Sequence, residues 1–301
     1  MPKPNNTPED RFRSGFVAIL GAPNVGKSTL LNRMLGQKIS ITSKKPQTTR
    51  NRILGVLHRP GVQLVFLDTP GIHRAKKPLN VRIVDVALAT LADVDLVLLL
   101  TDASSPDPDA EQILLQRLKN ESVPVILVLN KIDLLPKPKL LDLIEHWSHA
   151  HVFKAVIPIS AKQGTQIPAL IAAMEAVMPP GPPFFPEESL TDMPQRFIAA
   201  EMIREKAFRL TGEELPYAVA VTIDTFSETA KLVKIHATIH VERDSQKGII
   251  IGKKGAKLRQ IGESARKDIE AMVGCKVFLK LFVRVQKNWS KDTKALRKFG
   301  Y

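Results

Sequence analysis

The 301-residue sequence has few of the features that build a cross-linked or membrane-spanning protein. Its single cysteine, Cys275, excludes an internal disulfide and is most simply a small core residue near the start of a strand. No run of 18 apolar residues occurs, and the first ten residues lack the apolar core of a secretion signal. The seven histidines have no metal-ligand spacing. We therefore expect a cytoplasmic protein with at most peripheral membrane contact.

Charge is unevenly distributed along the chain. Residues 195–301 contain 22 Lys and Arg against 12 Asp and Glu, a net charge of +10, whereas residues 1–194 contain 22 against 18. With 44% hydrophobic residues, a chain of this length can bury two separate cores. The basic excess of residues 195–301 would attract nucleic-acid phosphates or an anionic membrane surface, although a charge run can also be an ordinary solvated face.

A glycine-containing loop follows the apolar run at residues 16–20, and a helical pattern follows the loop. This order of strand, loop and helix is typical of a phosphate-binding loop, in which backbone N–H groups and a helix N-terminus surround a phosphate. Lys27 would contact the β- and γ-phosphates, and the Ser28 hydroxyl would bind Mg²⁺. The predicted nucleotide contacts in this region are Gly21, Asn24, Val25, Gly26, Lys27, Ser28 and Thr29.

A second apolar strand, residues 62–67, ends in Asp68-Thr69-Pro70-Gly71. Asp68 is predicted to reach the Mg²⁺ through water, and the Gly71 N–H is predicted to bond the γ-phosphate and be released on hydrolysis. Residues 40–50, between the two motifs, have no helical or strand period and are expected to form a mobile loop. Either Thr48 or Thr49 would complete the Mg²⁺ shell, with Thr49 preferred. The predicted catalytic groups are Lys27, Thr49, Asp68 and Gly71.

The third motif, residues 130–133, indicates that the bound base is guanine. Its sequence is Asn130-Lys131-Ile132-Asp133. The Asp133 carboxylate only accepts hydrogen bonds, and guanine presents a ring N–H beside an amine, a donor pair that adenine lacks. Backbone N–H groups of Ser160-Ala161-Lys162, after the strand at residues 156–159, are expected at the guanine oxygen. The ligands are therefore predicted to be GTP and GDP.

The C-terminal third has a different pattern. Residues 179–195 begin with five prolines in eight positions and predict a stiff, extended linker. A helix is predicted over 196–210, strands over 217–226 and 231–242, then a glycine loop, a helix to residue 272 and a strand over 276–285. Within the overall order helix, strand, strand, helix, helix, strand, the loop is typical of a KH domain, whose glycines let an RNA backbone approach. The predicted RNA contacts are Gly248, Ile251, Gly252, Lys253, Lys254 and Gly255.

These motifs, with Asn24 and Thr48-Thr49-Arg50, resemble the Era-like branch of the translation-factor GTPases, and the KH pattern extends the resemblance over essentially the whole chain. It implies an α/β P-loop GTPase domain with a mostly parallel sheet at residues 11–178, the linker at 179–195, and a smaller α+β type II KH domain at 196–301. It also implies GTP hydrolysis, binding to the 3′ end of 16S rRNA, and help in assembling the 30S ribosomal subunit.

The residue after Gly71 raises a catalytic question. Ras-type GTPases carry a glutamine there that orients the attacking water, but this chain has Ile72. Relatives with this substitution commonly recruit K⁺ with an asparagine of the phosphate loop as ligand. We hypothesise that hydrolysis is intrinsically slow and K⁺-stimulated, with Asn24 as the K⁺ ligand, while a purely structural role for Asn24 stays open.

Two alternatives to an assembly GTPase remain at this stage. One is an RNA-binding module whose GTPase half has lost its chemistry and only senses nucleotide, against which the intact Lys27, Ser28 and Asp68 argue. The other is a membrane-associated signalling GTPase whose basic half binds anionic lipid at the inner membrane surface. A monomer is expected in each case.

Overall fold

The computed structural model describes residues 12–42, 52–69, 71, 93–119, 121–211, 219–229, 231–292, 295, 296 and 299. By their contacts, they divide into two compact units. The first comprises the described residues within 1–40 and 49–192, and the second comprises those within 41–48 and 193–301. The predictions for Thr48, Thr49, Arg50 and Ile72 fall outside the described residues.

A six-stranded sheet forms the centre of the first unit. Its strands are β1 (Arg13–Gly21), β2 (Ile53–Arg59), β3 (Val62–Asp68), β4 (Leu96–Asp102), β5 (Val125–Asn130) and β6 (Ala155–Pro158). The strand order is β2-β3-β1-β4-β5-β6, and only the β2–β3 pair is antiparallel. Parallel strands covered on both faces are apolar throughout, and every residue of β4 and β5 is buried. The carboxyl ends of β1, β3, β4 and β5 meet at one edge.

Helices of the described part of this unit are α1 (Lys27–Leu35), α2 (Pro108–Leu118), α3 (Lys137–Ser148) and α4 (Ile167–Val177). The start of α2 is set locally, since Asp107 accepts a hydrogen bond from the Ala110 N–H at 3.1 Å and a proline follows it. Trp147 of α3 is 3% exposed and packs with Leu127 of β5 in the core. None of the helices described in either unit is both long and apolar enough to cross a membrane.

The proline-rich segment packs along the edge of the first sheet. Gln63, fully buried in β3, donates to the Phe185 oxygen at 2.7 Å and accepts from the N–H groups of Phe184 and Phe185 at 2.7 and 3.0 Å. Farther along, the Val56 N–H donates to the Leu190 oxygen at 2.9 Å. By contacts, the segment belongs to the first unit as far as Asp192, although its proline content predicts only a linker.

The second unit has the order helix, strand, strand, helix, helix, strand that the sequence predicts. Its elements are α5 (Gln195–Leu210), β7 (Ala220–Glu228), β8 (Leu232–Val241), α6 (Asp244–Ile251), α7 (Ala256–Val273) and β9 (Lys276–Val285). The strand order is β7-β8-β9, with β8 antiparallel to β7 and parallel to β9. Alternate residues of β8, among them Val233, Ile235 and Ala237, are buried.

Candidate nucleotide and nucleic-acid sites

The loop between β1 and α1 has the backbone that a phosphate site requires. Gly26 has φ 105°, and a Cβ there would lie 2.3 Å from the Asn130 Nδ2 atom. Glycine therefore satisfies both the backbone conformation and the close approach. Asn24 also has a positive φ, 66°. The helix α1 begins at Lys27, so the N–H groups of its first turn, including those of Ser28 and Thr29, lie beside the loop.

Lys27 is buried inside this loop. Its Nζ atom donates to the oxygens of Gly21 and Ala22 at 3.0 and 2.9 Å. Burial lowers the pKa of Lys27 from 10.5 to about 8, and the nearby Asp68 carboxylate partly opposes that shift. A desolvated cation held in a loop of backbone amides favours a multiply charged anion such as a nucleotide phosphate.

Asp68, at the carboxyl end of β3, is fully buried beside Lys27. Its Oδ2 atom accepts from the Ser28 hydroxyl at 2.7 Å and from the Ser40 hydroxyl at 2.8 Å. Burial raises the pKa of the Asp68 carboxyl, whereas hydrogen bonding and the Lys27 charge lower it. Its Oδ1 atom is buried and has no hydrogen-bond partner among the described residues.

An unpartnered carboxylate oxygen next to a serine hydroxyl fits a hard cation with oxygen ligands. Ser28 would hold a magnesium ion directly and Asp68 through water, and the ion would supply positive charge to the phosphates. No group of three or more His, Cys, Asp or Glu side chains forms a metal cluster in the described part of the chain. A serine hydroxyl and one carboxylate are the kind of donor set that holds Mg²⁺ together with the phosphates of a nucleotide.

Asn130, at the end of β5, joins the parts of the site. Its Nδ2 atom donates to the Val25 oxygen at 2.7 Å, and its Oδ1 atom accepts from the Ala161 N–H at 3.0 Å. One buried amide thus connects the phosphate loop with the segment at 160–162. The Ala161 N–H, which the sequence places at the guanine oxygen, donates to Asn130 in this structure. Direct contacts of Asn130 and Ala161 with a nucleotide stay predictions.

Asp133 lies in the short 3₁₀ turn Ile132–Leu134 that follows Lys131. Its Oδ1 atom is buried and, within the described chain, has no hydrogen-bond partner. Leaving such an acceptor unpaired costs about 1–3 kcal/mol, which a pair of donors on a base would recover. The orphaned oxygen therefore supports the prediction that this residue selects guanine. Lys131 has φ 66° and forms an ion pair with Asp102 at the end of β4.

Two supporting residues have no motif of their own. Arg33 of α1 donates from Nε to the Ala161 oxygen at 3.2 Å and from Nη2 to the Lys162 oxygen, so it fixes the segment beside the base. Asp102 orients Lys131. The position of Asp102 at the end of an apolar strand is a signal in the sequence, but Arg33 has none because it acts across 128 residues. Ser160 bonds the Gln163 N–H through its hydroxyl at 3.1 Å.

Gly71 is adjacent to the phosphate loop. A Cβ placed on it would lie 2.7 Å from the Pro23 Cα atom, so the two backbones are in close contact. The structure thereby brings together Gly71, Lys27 and Asp68 of the predicted catalytic set, with the predicted Mg²⁺ ligand Ser28 bonded to Asp68.

The glycine loop of the second unit lies between α6 and α7. Gly252 has φ 69°, and a Cβ there would approach the Lys257 Cβ to 2.6 Å. The next two residues, Lys253 and Lys254, are exposed, and α7 begins directly after Gly255. An added Cβ at Gly248 would meet no atom within 4 Å. Backbone that is open to solvent, two exposed cations and a helix N-terminus together suit a sugar-phosphate chain.

Comparison with known families gives one assignment for each unit. Residues 16–131 match the family described as 50S ribosome-binding GTPase, and residues 214–290 match the KH domain family. These ranges fall inside the two regions to which the sequence motifs assign the same functions.

Similar proteins cover nearly the full length. GTPase Era of Geotalea uraniireducens (strain Rf4) is 55% identical over 97% of this chain and 99% of its own. GTPase Era of Geobacter metallireducens is 54% identical, also over 97% and 99%.

Two crystal structures of Era superpose with TM-scores of 0.92, each over 96% of this chain and 99% of the other. One, 42% identical, is a complex with MgGDPNP and nucleotides 1506–1542 of 16S ribosomal RNA. The other, 41% identical, is a variant of Aquifex aeolicus Era bound to GDP·AlF4⁻.

The predicted P-loop GTPase and KH folds are thus confirmed, as is the GTPase activity, which excludes a nucleotide-sensing half without turnover. The chain belongs to the Era family of GTPases.

Proposed function

We propose that this GTPase binds the 3′ end of 16S rRNA through its second unit and assists assembly of the 30S subunit. The observation that carries the proposal is the Gly252–Gly255 loop, which presents exposed Lys253 and Lys254 within residues 195–301, a region with a net charge of +10. The similar Era protein crystallised with nucleotides 1506–1542 of this RNA supports the choice of partner.

Neighbouring residues suggest how nucleotide and RNA binding are coupled. Ser40, in the first unit, bonds Asp68 at the metal end of the site. Thr42, only two residues later, belongs to the second unit, where its hydroxyl accepts from Arg209 Nη2 at 2.7 Å and its backbone oxygen accepts from Arg209 Nε at 3.0 Å. A shift of Ser40 when the γ-phosphate is lost would be passed along this short stretch of chain to Thr42 and change the RNA affinity of the second unit.

RNA affinity in the two nucleotide states tests both ideas. We expect RNA 1506–1542 to bind more tightly than a shuffled RNA of the same length, and more tightly with a GTP analogue than with GDP, by fluorescence anisotropy. Arg209→Ala should reduce the difference between the nucleotides, whereas Arg117→Ala, which alters a surface pair with Glu121 at 3.6 Å, should preserve it. Equal affinity for both RNAs would refute the RNA assignment, and an unchanged difference in Arg209→Ala would refute the coupling.

The metal ions are part of the same proposal. Ser28 and Thr49 would bind Mg²⁺ directly and Asp68 through water, and K⁺ would take the place of the absent glutamine with Asn24 as ligand. Asn24 lies in the phosphate loop with a left-handed backbone, φ 66°. We expect faster GTP turnover in KCl than in NaCl at equal ionic strength and loss of the difference in Asn24→Ala. Identical rates for the unaltered protein would remove K⁺ from the mechanism.

We further infer that the chain is a cytoplasmic monomer, with peripheral membrane association as the alternative. The basic excess of residues 195–301 supports binding to either RNA or anionic lipid. Co-sedimentation with vesicles containing phosphatidylserine, with and without competing RNA 1506–1542, separates the two. We expect RNA to bind at salt concentrations that abolish vesicle binding. Vesicle binding that persists in excess RNA would favour the membrane function.

A further inference from the structure

The open face of the second sheet carries aromatic and basic residues that belong to neither the nucleotide site nor the glycine loop. Along β9, exposed residues alternate with half-buried or buried ones. The exposed set begins with Lys276 and continues with Phe278, Lys280, Phe282 and Arg284. Because successive side chains of a strand point to opposite faces, these five share one face. Two of them are large aromatics left 52% and 44% exposed, Phe278 and Phe282.

This face is distinct from the one that the helices cover. A Cβ on Gly262 of α7 would lie 3.5 Å from the Leu281 Cδ1 atom, so Leu281 points to the helix layer. Its neighbours Lys280 and Phe282 therefore point away from that layer. The Gly252–Gly255 loop joins two helices that contact β9, so it belongs to the helix side of the sheet. An RNA segment on the open face would be additional to one at the loop.

The aromatic rings form a row across two strands. The His236 ring of β8 lies between those of Phe278 and Phe282, with centroid distances of 6.3 and 6.4 Å. In the β8–β9 register, His236 is directly opposite Lys280. The Lys280 Nζ atom lies 5.2 Å from the centre of the Phe282 ring. Phe278 and Phe282, four residues apart, are separated by roughly 13 Å along the strand, enough for more than one base.

Charge identifies the occupant of this surface. Four cations, Lys234, Lys276, Lys280 and Arg284, lie among the rings. Asp224 of β7 is an acidic group described on this side, and its carboxylate accepts from the Thr238 hydroxyl at 2.6 Å. Rings interleaved with cations attract a polyanion whose units carry flat π-faces, which describes single-stranded nucleic acid. A purely apolar protein partner would not account for the cations.

We propose that this aromatic–basic face is a second RNA-contacting surface, on which unpaired bases stack against Phe278 and Phe282. The proposal rests on the RNA-binding function proposed above and extends it to a second segment of the same RNA. Phe299 limits the surface at one end, since its ring lies 4.6 Å from that of His240, which is 5% exposed. The contact is sequence-tolerant because every base can stack.

The test uses the full-length protein and the double variant Phe278→Leu/Phe282→Leu, which keeps apolar bulk but removes the π-faces. We expect its affinity for RNA 1506–1542 to fall at least about tenfold, from the energy of one lost base stack. The variant Phe278→Trp/Phe282→Trp keeps aromatic rings at both positions and should bind the RNA as tightly as the unaltered protein. Leu141→Ala/Val152→Ala, which truncates exposed apolar residues of the first unit, serves as the control and should bind normally. GTP turnover and thermal melting should be unchanged in all three.

Photocrosslinking locates the contact. With 4-thiouridine in the RNA, we expect crosslinked peptides containing Phe278 or Phe282, separate from those containing the Gly252–Gly255 loop. Unaltered affinity of the leucine variant without such crosslinks would overturn the proposal while leaving RNA binding at the loop intact. Loss of self-association instead of RNA binding, measured by sedimentation, would overturn it in favour of a protein interface. Failure of the unaltered protein to bind RNA would refute the proposed function itself.

Discussion

The two units hold their functional groups in opposite environments. In the first, Lys27, Asp68 and Asn130 are buried and already hydrogen-bonded, Lys27 and Asn130 to the backbone and Asp68 to two serine hydroxyls. In the second, Lys253, Lys254 and the aromatic–basic face are open to solvent. Buried polar groups discriminate strongly because a wrong ligand leaves them unpaired, whereas exposed charges give affinity that depends on salt. We therefore expect the nucleotide site to be selective and the RNA surface to be adaptable.

The largest expected effect tests this selectivity at Asp133. In Asp133→Asn, the amide presents a donor to the guanine amine, so GTP affinity should fall by about 100-fold, roughly 3 kcal/mol. Xanthosine triphosphate, with a carbonyl at that position, should become the preferred ligand. Competition between the two nucleotides measures the change, and exposed Asp142→Asn is the matched control. If GTP remains preferred, the base site has been misplaced.

Removal of the buried side-chain amide of Gln63 should lower the stability of the first unit alone. Gln63→Ala leaves the N–H groups of Phe184 and Phe185 without their acceptor, and the free energy of unfolding of the first unit should fall by about 2–3 kcal/mol. Hydrogen exchange should accelerate in β2 and β3 but stay constant in β8. Exposed Gln163→Ala is the control. Equal acceleration in both units would show that they unfold together and would weaken the contrast between them.

A substitution in the glycine loop should lower RNA affinity while changing the stability of the protein no more than a matched control substitution does. Gly255→Asp adds a negative charge where an RNA backbone is expected, and RNA affinity should fall about tenfold with GTP binding unchanged. Gly274→Asp is a close match, since its φ of 72° resembles the 78° of Gly255 and neither added Cβ meets an atom within 4 Å. Anisotropy with RNA 1506–1542 compares them. Equal losses in both variants would indicate backbone strain rather than an RNA contact.

The smallest effect concerns pH. Phosphates favour protonated Lys27, whose pKa in the folded, nucleotide-free protein is about 8, so GDP affinity should be constant at lower pH and fall about fourfold between pH 7 and 8.5. The folded-state pKa lies below the ordinary 10.5, so this group also makes the nucleotide-free protein more stable as pH rises from 8 to 10.5. Fluorescent GDP titrations measure the affinity, with exposed Lys139→Met as control. A flat profile would mean that Lys27 is more hydrated than its burial indicates.

Much of the architecture follows from local pattern. The apolar runs at residues 16–20 and 62–67 lie in β1 and β3, and the motif residues after them lie at the carboxyl ends of those strands, as parallel strands require. The alternation at 231–242 identifies β8, and the predicted bounds of β9 agree with the structure. By contrast, the apolar period of α5 predicts one buried face but not that Arg204 is fully buried and paired with Glu201 at 2.5 Å.

The sequence alone determined the order of motifs and the KH pattern and predicted the guanine preference at Asp133, because each depends on residues close together in the chain. Only the tertiary structure decided that Gln63 holds the proline-rich segment, that Arg33 supports the base segment, and that Phe278, His236 and Phe282 form one row. These contacts join residues far apart in the chain or on separate strands. Chain folding and strand register bring them together, and neither can be predicted from a short stretch of the sequence.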